Sequence, residues 1–397
     1  MASGRRIRLV HVITRMDRGG SAQNTLDTAM GLAKEYDTHL VHGPSLESAM
    51  GPAERARVEE ALARAEAAGV SRVVCPHLVR AVSPARDLAA LRELKRLFSR
   101  LSPDVVHTHT SKAGALGRLA AAAAGVPAVI HTPHGHVFYG HFGPVASRGY
   151  LAAERFLDRF THVLVALTTA EARDYEALGV ARKAALVVVH SGVDVERFAG
   201  QGDRTAARAA LGLSPDAAVV GCVGGLWPHK GQDVLLSAMA RVWEIRPDAV
   251  LVFAGQGPME EELRRRAGEM GAAGRVVFAG WRDDLPQVLP ALDVMAHPAK
   301  NEGMGRVLVE ALAAGVPVAA SDAGGIRDVI LHGRTGLLVP AGDQQAMAGA
   351  VSRLLSDPAL AARLVEKGRE HAKAFSRKAM LAALNALYRE WTMRERA

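Results

Sequence analysis

Short apolar runs without alternation recur along this chain, among them "IRLVHVI", "DVVHTHT", "HVLVAL", "AVVGCVG", "AVLVFAG" and "VPVAAS". Each ends in or is followed by Gly, His, Ser, Thr or another turn-compatible residue, and helix-forming stretches such as "NTLDTAMGLAKEY" and "SKAGALGRLAAAAA" lie between them. A strand that is apolar on both sides must be covered on both sides. That is the situation of parallel sheets flanked by helices, and it predicts an α/β, doubly wound architecture. At 397 residues the chain is too long for one such core. Two domains of roughly 150–200 residues are expected. The rhythm breaks in "HSGVDVERFAGQGDRTAARAALGLSPDAA", and strands resume at Val219. The expected division is therefore residues 1–195, residues 196–375, and a terminal amphipathic helix over 376–397 that can cross back onto the first domain.

Several function classes are disfavoured. Two cysteines, Cys75 and Cys222, are too few and too far apart for a disulfide framework or a zinc cluster, which fits a reducing cytosol. The opening "MASGRRIRLVHVITRMDRGG" lacks the apolar stretch of a signal peptide, and "LAAAAAGVPAVI" is interrupted by Gly125 and Pro127. The expectation is a cytoplasmic protein, with peripheral contact to an anionic membrane as an open alternative. A net charge of +8 suits anionic partners such as phosphates and nucleotides. Aromatics are only 5 % and are not interleaved with basic residues, which argues against a single-stranded nucleic-acid groove.

In open parallel sheets, ligands sit beyond the carboxyl ends of the strands. "VGGLWPHKGQDVLLSAM" places Gly224, Gly225 and Lys230 between a strand and a helix, where backbone N–H groups and an ammonium suit phosphate. "FAGQGPMEEELRRRA" reads as a structural helix start whose acids complement the dipole. In "NEGMGRVLVEALAAGVPV", Gly303 and Gly305 let backbone approach a ligand, while Glu302 and Glu310 flank the turn. Carboxylates accept from hydroxyls. A phosphate carrying a polyol on either side, as in a nucleotide sugar, satisfies both features. In the first half, Gly19 and Gly20 lie in a glycine loop. His107, His109, His131, His134, His136 and His141 form a histidine-rich region without nearby carboxylate or cysteine ligands, so no metal is expected. His134, before Gly135 at a strand end, is placed to donate to a reacting sugar or to act as a base. The helix "RDLAALRELKRLFSRL" carries Arg92, Lys95, Arg96 and Arg100 opposite its apolar side. It reads as a sheet-covering helix, with docking on anionic lipid as the alternative.

In order and spacing these stretches resemble the family 4 glycosyltransferases of the GT-B fold: "RGGSAQ", "TSKAGALGRLAA", "GVPAVIHTPHGHVFYG", "VVVHSGVDVERF", "FAGQGP", the Glu-x7-Glu element from Glu302 to Glu310, and "ASDAGGIRDVI". The resemblance covers nearly the whole chain. It implies two doubly wound Rossmann-like domains facing across a cleft, and retaining, metal-independent hexosyl transfer from a UDP- or GDP-sugar without a cofactor. The acceptor it implies is a lipid-linked or cell-surface glycan, as in polysaccharide biosynthesis at the cell envelope. It assigns the diphosphate to Lys230 and the loop at Gly20, and the ribose to Glu310. Glu302 and the N–H groups of Gly303 and Met304 receive the donor sugar, with His134 beside it. Gly19 and Gly224 complete the donor set, and His109, Lys112, Arg118 and His136 are acceptor-side candidates.

One departure stands out. Family members usually place arginine where this chain has Gly225, which removes a bidentate phosphate clamp. His229 or Arg282 is the expected substitute. Two rival readings follow: an epimerase or hydrolase acting on nucleotide sugars, and an inactive nucleotide- or glycan-binding protein.

Overall fold

The computed structural model describes residues 5–17, 19–45, 50–135, 143–200 and 202–394. The chain forms two compact units, one of residues 1–192 with 380–397, the other Val193–Ala379.

The first unit holds seven strands: β1 (Arg8–Ile13), β2 (Asp37–His42), β3 (Ser71–Val74), β4 (Val105–His109), β5 (Ala128–Thr132), β6 (Val163–Ala166) and β7 (Ala185–Val188). They pair in the order β3-β2-β1-β4-β5-β6-β7, and every pairing is parallel. β4 and β5 are buried along their whole length, as the continuous apolar runs require. Their residues feed clusters on both faces, one closed by helix Pro84–Leu101 through Leu94 and Phe98, the other by the terminal helix through Met380, Leu384 and Tyr388. Arg92, Lys95, Arg96 and Arg100 lie on the exposed side of helix Pro84–Leu101.

The second unit holds β8 (Val219–Val223), β9 (Val250–Ala254), β10 (Val276–Gly280), β11 (Val294–His297), β12 (Val318–Ser321) and β13 (Leu337–Val339). Their order is β10-β9-β8-β11-β12-β13, again all parallel. Apolar clusters lie on its two faces.

Both orders reverse direction once, between β1 and β4 in the first unit and between β8 and β11 in the second. Helices leave to opposite sides at such a switch point, so the strand ends diverge there and open a crevice. The sequence motifs sit at these two places.

Candidate active site

In the second unit, β8 ends at Val223 and β11 at His297. The chain leaving β8 turns through Gly224, at φ 137°, and into the short helical turn Pro228–Lys230. Gly231 follows at φ 71°, where an added Cβ would lie 2.1 Å from the Pro298 carbonyl oxygen. Only glycine brings Lys230 this close to the β11 end. Its Nζ lies 2.5 Å from Glu302 Oε2, and His297 Nε2 donates to the same oxygen at 2.9 Å. Burial pushes the Glu302 carboxyl up, but the His297 hydrogen bond and the Lys230 charge outweigh it and bring it down to about 2. Glu302 is thus an anion already paired with a cation, and a ligand phosphate would have to share or displace that lysine.

Past Glu302, the amides of Gly303 and Met304 donate to no acceptor among the described residues. The Met304 side chain is buried in the core, so this residue offers a ligand only its backbone. Gly305 then adopts φ 76° and begins helix Arg306–Ala314, which buries Leu308, Val309, Leu312 and neighbouring alanines. Glu310 lies in the second turn. Its half-buried carboxylate has neither a hydrogen bond nor an ion pair among the described residues. Burial holds its pKa above the usual carboxylate value, against the charges of Arg306 and Arg197. A desolvated acceptor without a donor is the group that gains most from ligand hydroxyls.

At the other switch point, β1 leads to the loop whose Gly19 N–H donates to Asp17 Oδ1 at 2.8 Å. Gly19 caps helix Gly20–Leu32 with no side chain, which leaves first-turn amides available to an anion. His134 sits just past β5 at φ 60°, a left-handed conformation uncommon for a residue with a Cβ. Its Nε2 is 2.9 Å from His109 Nδ1.

Three acceptor-side expectations change with the tertiary structure. Arg118 is fully buried. It grips both Glu154 oxygens at 2.9 and 2.8 Å and donates to the Gly114 carbonyl and Thr161, so it is an interior tie and not a ligand contact. His109 is also buried, and it reaches a ligand only through His134. Lys112 is held by Asp87 at 2.5 Å and the Ala81 carbonyl at 2.8 Å, yet it borders a cavity of about 350 Å³ with Thr14, Arg15, Arg80, Thr110 and Tyr150. His136 and His141 lie outside the described residues. The acids at the start of helix Glu260–Glu269 bond to their own helix, Glu260 to Arg264 and Glu262 to Arg265, in keeping with the structural reading.

Residues 18–197 match the family described as Glycosyltransferase Family 4, and residues 203–371 match Glycosyl transferases group 1. An Escherichia coli UDP-Gal:α-D-GlcNAc-diphosphoundecaprenol α-1,3-galactosyltransferase is 32 % identical over 291 residues, 72 % of this chain and 75 % of that one. The chain belongs to the family 4 glycosyltransferases of the GT-B fold. A Rhizobium meliloti lipopolysaccharide core mannosyltransferase, LpsB, is 36 % identical over 210 residues, 51 % of this chain and 60 % of its own. Among solved structures, Anabaena HepE, crystallised with UDP and glucose, superposes with a TM-score of 0.80 at 22 % identity, covering 97 % of this chain and all of that one. The two-domain Rossmann-like architecture and the glycosyltransferase class of this enzyme are therefore established.

Against that family pattern the Gly225 departure acquires a physical form. A Cβ at Gly225 would lie 2.7 and 2.8 Å from Cδ1 and Nε1 of Trp227, so the half-exposed indole fills the place where a longer side chain would start. Of the two expected substitutes, Arg282 is not a free cation. Arg282 is clamped on Asp284 at 2.8 and 2.6 Å, and the His229 carbonyl receives the Lys300 and Asn301 amides. Sequence reasoning missed His297, the second donor to Glu302, and His11, which backs His109. Each ends or lines a strand at a switch point, and position on the strand was the signal that could have found them.

Proposed function

We propose that this glycosyltransferase moves a hexosyl unit from a nucleoside-diphosphate sugar to a lipid-linked or cell-surface glycan. In this reading transfer retains the anomeric configuration and needs no bound metal. The observation that carries it is the arrangement around helix Arg306–Ala314: a half-buried Glu302 anion bonded to Lys230 and His297, two amides without acceptors among the described residues, and the partnerless Glu310 in the second helical turn. Cleavage of the bond between the anomeric carbon and the diphosphate leaves charge on the phosphate oxygens. Lys230, shared between Glu302 and the phosphate, stabilises that charge, and the N–H groups of Gly303 and Met304 hold the donor sugar beside it. Glu310 accepts from the ribose hydroxyls and Glu302 from those of the sugar. The glycine loop at Gly19 and Gly20 supports the phosphates, and His134 donates to the transferred sugar.

The relatives support this acceptor class, since the E. coli protein acts on a diphosphoundecaprenol-linked sugar and the Rhizobium protein builds lipopolysaccharide core. No helix among the described residues is long and apolar enough to cross a membrane. Where the acceptor is membrane-held, the exposed Arg92, Lys95, Arg96 and Arg100 provide attraction to anionic lipid.

The test is turnover of a panel of UDP- and GDP-sugars with lipid-linked acceptors, with the product anomer read by NMR. Lys230→Met and Glu310→Ala should each lower kcat/KM by about 100-fold or more. Full activity in either variant would remove its residue from the donor site. Donor consumption at the same rate without acceptor would favour the epimerase or hydrolase reading.

A further inference from the structure

The first unit contains a line of imidazoles that the reading above does not use. β1 and β4 run in parallel with His11 opposite His107, and the two-residue period of a strand places His109 on the same face. His11 Nδ1 lies 3.0 Å from His109 Nε2, and His109 Nδ1 lies 2.9 Å from His134 Nε2. The series thus runs from the interior to the residue given to the sugar. His11, His107 and His109 also bring ring nitrogens within 4.8 Å of one another, a grouping that can hold a metal ion. Here those nitrogens bond to each other and to protein. His107 meets the Tyr388 hydroxyl at 2.6 Å and Thr132 Oγ1 at 2.7 Å, which takes both of its nitrogens out of the series.

The direction of the protons follows from the inner end. His11 Nε2 is buried with no partner. If it carried hydrogen, an N–H donor would be orphaned in the core, whereas a lone pair left without a donor is the less costly deficit. Another histidine of this protein sets the precedent. His131 Nδ1 lies 3.1 Å from the Thr108 carbonyl, which can only accept, and 2.9 Å from the Thr108 hydroxyl, whose hydrogen goes to the Ile130 carbonyl at 3.3 Å, so Nδ1 donates and the partnerless Nε2 is a lone pair. With the same assignment, His11 donates from Nδ1 to His109 Nε2. His109 then donates from Nδ1 to His134 Nε2, and the single proton of neutral His134 resides on Nδ1.

We propose that His109, backed by His11, is a positioning residue that fixes the tautomer of His134, holding Nε2 as an acceptor so that Nδ1 is the nitrogen that donates. His134 also adopts a left-handed backbone conformation, at φ 60°. Tautomer control by the group on the far nitrogen is general for functional histidines. The catalytic consequence rests on the role given to His134 above, but the tautomer itself does not.

The experiment is long-range ¹H–¹⁵N correlation on the full chain labelled with ¹⁵N-histidine, with His134 identified by loss of its signals in His134→Gln. The expected wild-type spectrum has a protonated Nδ1 and an unprotonated Nε2. His109→Leu should move the proton toward Nε2, and His109→Asn, whose amide can still donate, should keep the wild-type pattern. In turnover assays His109→Leu should lower kcat roughly 10- to 100-fold with little change in donor KM, and His109→Asn should recover most of it. A wild-type His134 protonated on Nε2 overturns the proposal, as does an unchanged pattern in folded His109→Leu. If His109→Leu does not fold, the wild-type spectrum still decides. A confirmed tautomer with full turnover in His134→Gln leaves the relay standing and removes His134 from catalysis.

Discussion

Acidification should unfold the first unit well before carboxylates matter, because four of its histidines are neutral by burial. His11 is held at about 3, and His107, His109 and His131 are held well below their ordinary value of 6.5. Burial is the leading cause in each; neighbouring imidazoles add to it for His107 and His109, and the Arg118 charge does so for His131. In the unfolded chain the same rings titrate near 6.5. Their contribution is therefore intact above pH 6.5 and is lost as pH falls below it, since the unfolded state takes up protons that the fold refuses. At pH 5 an unfolded histidine gains about 2 kcal/mol from protonation, and four gain about 8 kcal/mol. That matches the whole stability of a typical domain, about 5–15 kcal/mol. Hydrogen exchange at pH 7.5, 6 and 5, corrected for intrinsic rates, reads this by strand. Amides of β1, β4 and β5 should lose protection by several orders of magnitude, while β8, β11 and β12 of the second unit serve as the internal reference. Protection in β4 that changes by less than one proton's worth, about 1.4 kcal/mol per pH unit, would refute the assignment of neutral buried rings.

Two further outcomes are expected. Gly225→Arg should displace the Trp227 indole at little cost in stability, because that ring is half-exposed, and tighten UDP or GDP about 10-fold by calorimetry through a second phosphate cation. Weaker binding would instead show that the nucleotide needs the indole where it is. Arg118→Met should destabilise the first unit by about 3–5 kcal/mol in denaturant unfolding, since it strands the Glu154 carboxylate, and adding Glu154→Leu should recover much of that loss. An unchanged midpoint for the single variant would show that the pair is not buried in solution.

The pattern of the chain alone carried much of this architecture. A strand that is apolar at every position has one way to be satisfied, a parallel ladder under helices, and "AVVGCVG" and "VPVAAS" became β8 and β12 at the centre and flank of one. The glycines in "HKG" and "GMG" and the two acids around them were legible because backbone approach and hydroxyl recognition each demand a residue type. Partnership was not legible. Whether Arg118 faces a ligand or a half-buried Glu154 depends on which helix packs beside it, and helix packing joins residues 36 positions apart without leaving a local mark. The terminal helix is similar. Its amphipathic pattern announces a buried face, but only the tertiary structure sets Tyr388 against His107, 281 positions away. The histidines of "VVHTHT" show the division most directly. Their spacing dictates a common face, and the fold alone decided that this face would be dry, which turns groups that would be charged or exposed elsewhere into a neutral hydrogen-bonded series.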